Sequence, residues 1–141
     1  MMFKKGQKIF LSFAFTGEPK DEVTQRMQRI VAAMEGSGLV PYCNLFDDRT
    51  SGFMTPGQYV TDAIERVKES DGFIMIKTNA NRSEGQLSEF GAAKAMGISV
   101  GYLLHESATD STYLNDPMLS DETRIWTTED DLVDIAARLI A

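Results

Sequence analysis

Apolar runs and amphipathic stretches alternate along this chain from end to end. Residues 8–13 (KIFLSF) form a β-favouring run. From Pro19 and Asp21 to Met34, the residues Val23, Met27, Ile30, Val31 and Met34 fall at helical spacing and predict one buried face. Gly36 and Gly38 stop that helix. Residues 39–44 (LVPYCN) predict a short second strand, which Pro41 places toward a sheet edge. A polar segment over 45–54 follows. Thr55-Pro-Gly-Gln58 has the composition of a helix start, with Thr as cap, Pro at the first position and Gln to complete a capping box. That helix is predicted to run to about Ser70, with Val60, Ile64 and Val67 inward. Residues 72–77 predict the third strand. Ser83-Glu-Gly-Gln86 repeats the capping pattern and opens a third helix ending at Gly97. Residues 99–104 (SVGYLL) predict a fourth strand, 105–122 a polar loop, and 123–126 a fifth strand. Thr128 then caps an acidic-ended helix over 129–140.

Strands separated by helices imply parallel pairing through right-handed crossovers. Five strands and four or five helices in a single domain spanning 1–141 predict an α/β fold. The expected form is a flavodoxin-like three-layer sandwich with a five-stranded parallel sheet of order 2-1-3-4-5. Its switch point lies between strands 1 and 3, so the loops 14–20 and 78–85 are expected to line a site.

Composition narrows the classes. No apolar run approaches the roughly 18 residues of a membrane span, and 43% hydrophobic residues is ordinary for a globular domain. The start, MMFKKGQKIFLSF, faintly resembles a signal peptide, but its apolar part is short and carries Ser12, so a first strand is expected. The single Cys43 cannot form an internal disulfide, which points to the cytoplasm. A net charge of −7 argues against DNA or RNA as partners, while leaving room for a mononucleotide in a local pocket of donors. Neither GxGxxG nor GK[ST] occurs and no metal-ligand spacing is present, so no cofactor or metal is predicted.

The third strand, its loop and the following helix form the segment richest in chemistry. Glu89 lies near the amino end of that helix among Gly85, Ser88, Gly91, Ala92 and Ala93, small neighbours that let another molecule approach the backbone. A glutamate there is also compatible with plain solvation and the helix dipole. Ser83 is first of all a helix cap. Asp62, followed by Glu65 and Arg66, fits a solvated helix face, and Phe13 and Phe15 fit a core. His105 stands at the same carboxyl edge, and Cys43 has the character of a small buried hydrophobe.

The segment 59–104 resembles the core of the nucleoside 2-deoxyribosyltransferase family, which includes the 2'-deoxynucleoside 5'-phosphate N-hydrolases. The shared pattern is carried by Asp71, the apolar 73–76 strand, Ser83, Gly85, Glu89-Phe90-Gly91, Ala93 and Gly97, with an echo in Asn44-Leu-Phe-Asp47 and in Trp126. The resemblance implies cleavage of an N-glycosidic bond with Glu89 as nucleophile, since a carboxylate stabilises or traps an oxocarbenium-like sugar. It implies a 5'-phosphate contact at Ser83 beside a helix amino end, and a second acid matched by Asp62. Phe13, Phe15, Thr16, Gly17 and Gly85 are the remaining expected substrate contacts, one phenylalanine stacking on the base. The loop after strand 1 departs from the family's Gly-containing turn, having Phe13-Ala-Phe-Thr-Gly17 instead, and Asp62 lies one residue farther from Asp71 than the family spacing.

Two other readings stay open. IFLSFAFTGE together with Ser83 and Glu89 also resembles Toll/interleukin-1 receptor (TIR) domains, which when enzymatic cleave NAD with a helix glutamate. A non-catalytic nucleotide-binding module on the same fold is the other. The family tendency to share sites between subunits, and Tyr113, Leu114, Pro117, Met118 and Leu119 in one loop, predict a homo-oligomer, a dimer or larger.

Overall fold

The computed structural model describes residues 3–109, 114 and 116–140. Five strands, β1 (Lys8–Ser12), β2 (Val40–Tyr42), β3 (Gly72–Lys77), β4 (Ser99–His105) and β5 (Glu122–Trp126), pair in parallel in the order β2-β1-β3-β4-β5. This is the predicted order. Among the described residues, α1 (Lys20–Gly36), α2 (Pro56–Lys68) and α3 (Glu84–Met96) connect the first four strands, a loop with a short 3-10 turn leads from β4 to β5, and α4 (Glu129–Ala136) follows β5.

Strand alternation divides the core in two. Ile9, Leu11, Ile74, Ile76 and Leu103 point to one face, where α1 and α4 supply Val23, Met27, Ile30 and Leu132. Phe10, Phe73, Met75, Tyr102 and Leu104 point to the other, under Ala63 and Val67 of α2 and Phe90 and Ala93 of α3. Phe10 stacks on Phe73 at 5.7 Å, and Phe73 meets Phe90 edge-on at 6.5 Å. Ser12 follows Phe10 by two residues and so belongs to the α2–α3 face.

Several local features differ from the expected ones. The polar segment after β2 is ordered as two short 3-10 turns, Asn44–Phe46 and Asp48–Gly52, with Asp47 accepting from the Arg49 backbone N–H between them. Val60, expected inward, is exposed, because α2 packs through Ala63 and Val67 and leaves Val60 overhanging a cleft. The last helix stops at Ala136, and Ile140 instead bridges to Phe3. Leu114 is buried and Leu119 packs on the α2–α3 core, so of the expected interface cluster Met118 is the exposed large side chain; Tyr113 lies outside the described residues. Ser83 caps α3 through the Gln86 N–H, but the Gln86 side chain does not return to the cap. Among the described residues no helix is long and apolar enough to cross a membrane.

The entry to β3 is a close approach. Asp71 accepts a bond from the Lys8 N–H at 2.8 Å and returns one from its own N–H to the Lys8 carbonyl at 2.7 Å. Gly72 then passes under the fully buried Phe3 ring, where an added Cβ would lie 2.3 Å from a ring carbon. Gly72→Ala is therefore expected to lower stability by about 1–3 kcal/mol in urea unfolding, as overpacking does. The loss should shrink when Phe3 is also replaced by Ala, and a wild-type midpoint for Gly72→Ala alone would contradict this packing.

Candidate active site

The carboxyl ends of β1 and β3 meet the amino end of α3, as a topological switch point requires. On α3 the inward stripe is Gln86, Glu89, Phe90 and Ala93; three of these are buried and Glu89 is half-buried at the edge of the stripe. Ser12, 1% exposed at the end of β1, donates its hydroxyl to Glu89 Oε1 at 2.6 Å. The bond joins residues that the sequence holds far apart.

Glu89 opens onto a cleft of about 490 Å3. Phe13 and Phe15 form one wall, packed edge-to-face at 5.5 Å, with Gly85 and Ser88 of α3 beside the carboxylate. Asn44, Leu45, Thr50 and Ser51 from the 3-10 turns form the opposite side, and Tyr59, Val60 and Ile64 of α2 the rim. Lys20, at the start of α1, is the cation that borders it.

The turn wall is held by an ionic cluster. Arg49 binds Asp47 through its Nε and Nη2 and reaches Asp62 Oδ1 at 3.4 Å, while the Tyr42 hydroxyl donates to Asp47 at 2.8 Å. Arg49 beside it holds the Asp47 carboxyl down to about 2. The loop after β1 is tied to the loop after β3: Glu18 accepts from Arg26 at 2.9 and 3.1 Å and from Thr78 at 3.0 Å, and Asn79 donates to the Thr16 carbonyl at 2.9 Å. Gly17 turns there with φ +77°, close under Asn81, where a side chain would be both strained and crowded.

Solved structures share this fold. The Clostridium botulinum CMP N-glycosidase BcmB superposes with a TM-score of 0.70 at 23% identity, over 92% of this chain and 96% of that one. The fold is that of the 2-deoxyribosyltransferases. The 2-deoxyribosyltransferase of Bacillus psychrosaccharolyticus gives a TM-score of 0.56 at 16% identity, covering 90% of both chains. A conserved protein of Enterococcus faecalis V583 gives 0.60 at 16% identity, over 93% of this chain and 97% of that one. No protein-family model matches the sequence, and no curated protein sequence does.

On this 2-deoxyribosyltransferase fold, Phe13, Phe15, Gly85 and Glu89 come together in one cleft. The other expected site residues, Thr16, Gly17, Ser83 and Asp62, do not line it. Thr16 and Gly17 sit in the latched turn beyond it, because Asn79 and Asn81 fold back onto that turn instead of facing the cleft. Ser83 lines a neighbouring cavity of about 430 Å3 with Lys77 and Arg82, across the amino end of α3. Asp62 faces Arg49 and Arg66 beside a shallow depression on the outer side of α2, so it braces the turn wall and does not enter the cleft. His105 is bonded to Ser107 and to the Thr127 carbonyl. The sequence pattern assigns no site role to Ser12 or Gln86; the parity of β1 after Phe10 was the available signal for Ser12.

Burial raises the Glu89 carboxyl to about 7, partly offset by the Ser12 hydrogen bond, which favours the ionised form. Burial also pushes the Cys43 thiol up to about 12, so it stays protonated. The consequence for Glu89 has a definite sign. Its unfolded value is about 4.3, so between there and about 7 the folded protein keeps a proton that the unfolded chain has lost, and stability falls as pH rises through that window. Glu89→Gln removes this titration. Its melting temperature relative to wild type is expected to climb between about pH 5 and pH 8. A difference that stays constant across that range would show that the carboxylate is not held out of water.

Proposed function

We propose that this protein cleaves the N-glycosidic bond of a nucleoside or nucleoside 5'-monophosphate, with Glu89 as the nucleophile on the anomeric carbon. The observation that carries the reading is the half-buried Glu89 carboxylate, oriented by Ser12 and opening on a cleft of about 490 Å3 at the switch point. The cleft falls within the roughly 300–1,000 Å3 typical of small-molecule sites. The names of two structural neighbours, a CMP N-glycosidase and a 2-deoxyribosyltransferase, support the same chemistry.

As the bond to the base breaks, its electron pair leaves with the base, which takes a proton from water, and positive charge builds on the sugar. Glu89 meets that charge and closes on the anomeric carbon, forming a glycosyl ester. Water then releases the free sugar in hydrolysis, or a second base captures it in transfer. Phe13 and Phe15 offer ring faces to the base, and the half-withdrawn carboxylate is a stronger base than one in water. Asp62 supports the reaction by bracing the turn wall through Arg49. A 5'-phosphate would reach past the cleft toward the neighbouring cavity, where Ser83 and the amino end of α3 would take it. The reaction calls for no cofactor. The surrounding acidity disfavours nucleic acid, and we place the protein in the cytoplasm as a homo-oligomer.

Free base released from deoxynucleosides, ribonucleosides, their 5'-monophosphates and NAD, followed by liquid chromatography, tests the reading. Release is expected from a nucleoside or its monophosphate, with kcat/KM rising through a midpoint near 7 as Glu89 ionises. Glu89→Gln should fold and lose at least about a thousandfold in kcat. Ser83→Ala should raise KM for the monophosphate about tenfold more than for the nucleoside, the loss of one charged hydrogen bond. Turnover of NAD alone would transfer the site to the dinucleotide reading, and normal turnover by Glu89→Gln would end the nucleophile assignment.

A further inference from the structure

We infer that Gln86 is a positioning residue: its amide pins the amino end of α3 across the carboxyl ends of β1 and β3 and so holds Ser12 on Glu89. The inference rests on the reading of Glu89 as the reacting carboxylate and names what keeps that carboxylate in place.

Gln86 is 2% exposed, an unusual site for an amide in the first turn of a helix. Its Nε2 donates to the Ile76 carbonyl at 2.9 Å and to the Ser12 carbonyl at 3.3 Å, and its Oε1 accepts from Lys77 Nζ at 3.3 Å. Both amide hydrogens and the carbonyl are thus engaged, and the amide's orientation is fixed by its neighbours. The register of β1 with β3 ends at Ser12 and Met75. Beyond that pair the strands part, and Gln86 gives hydrogen bonds to the carbonyls of Ser12 and Ile76. An apolar side chain at 86 would leave both without this donor in a buried place. Gln86 lies one turn before Glu89 on the same stripe, so its bonds set both the rotation and the height of α3. They also fix the backbone of the residue whose hydroxyl reaches Glu89. The sequence pattern assigned Gln86 to the cap of its own helix; the structure spends its side chain on the sheet instead.

Carboxyl 13C NMR titration of Glu89, assigned by its loss in Glu89→Gln, tests this without requiring any turnover. A protein that released base from no substrate would therefore still report on Gln86. Among the described residues, the other titratable groups around Glu89 are Lys20 and Tyr59, which line the cleft, Cys43 at the end of β2 and, behind Gln86, Lys77, and all are kept in the variants. Gln86→Met is expected to raise the Glu89 midpoint by about half a pH unit or more, in the same direction as Ser12→Ala, because both remove the Ser12 hydrogen bond. The double variant should match Ser12→Ala alone, since Gln86 then has nothing to act through. With the best substrate, kcat should fall about tenfold or more while KM changes less than about threefold. Gln86→Asn, one methylene too short to reach both strands, should move the midpoint the same way and serves if the Met variant does not fold. A Glu89 midpoint that stays or falls in a folded Gln86 variant, or effects that add in the double variant, would overturn the inference.

Discussion

The site depends on keeping one carboxylate partly out of water with a single hydroxyl for compensation. The 2.6 Å bond from Ser12 to Glu89 is a hydrogen bond to a charged group, worth about 1.5–3 kcal/mol. Burial works against it and prevails, leaving the carboxyl at about 7. That balance requires β1 and β3 to be neighbours, Ser12 to share the parity of Phe10, and α3 to present Glu89 on its inward stripe. Each condition is met by a different part of the chain, and the sheet order brings them to one point.

Rigidity around that point comes from polar networks outside the cleft. Arg49 joins Asp47 to Asp62, and Tyr42 closes the cluster from β2, so the 3-10 turns form a wall and not a loose loop. Glu18, held by Arg26 and Thr78, does the same for the turn that carries Phe13 and Phe15. The acids and bases of an otherwise acidic surface are used here in pairs. The cleft itself is left largely aromatic and aliphatic, with Glu89 and Lys20 as its charged members.

The strand order was legible because the apolar runs alternate with amphipathic helices of ordinary length, and Glu89 because small residues surround it at a strand–helix junction. Other features were not. A serine inside an apolar strand carries no sign of its partner in sequence, and only the pairing of β1 with β3 gives it one. Helical spacing places Asp62 on α2 without telling which side of that helix faces the cleft, and Ala63 and Val67 turn it outward. The Ser83–Gln86 spacing predicts a local cap, but two strand-end carbonyls compete for the amide and win it. In each case a contact made only in the folded chain decides what the local pattern leaves undetermined.

Rapid-quench peptide mass spectrometry during turnover of an accepted nucleoside reads out whether Glu89 bonds to the sugar. A transient glycosyl ester is expected on the peptide carrying Glu89 alone, formed as the first equivalent of base is released. A glycosyl group on any other residue, or a burst of free base with no protein adduct at any quench time, would contradict it.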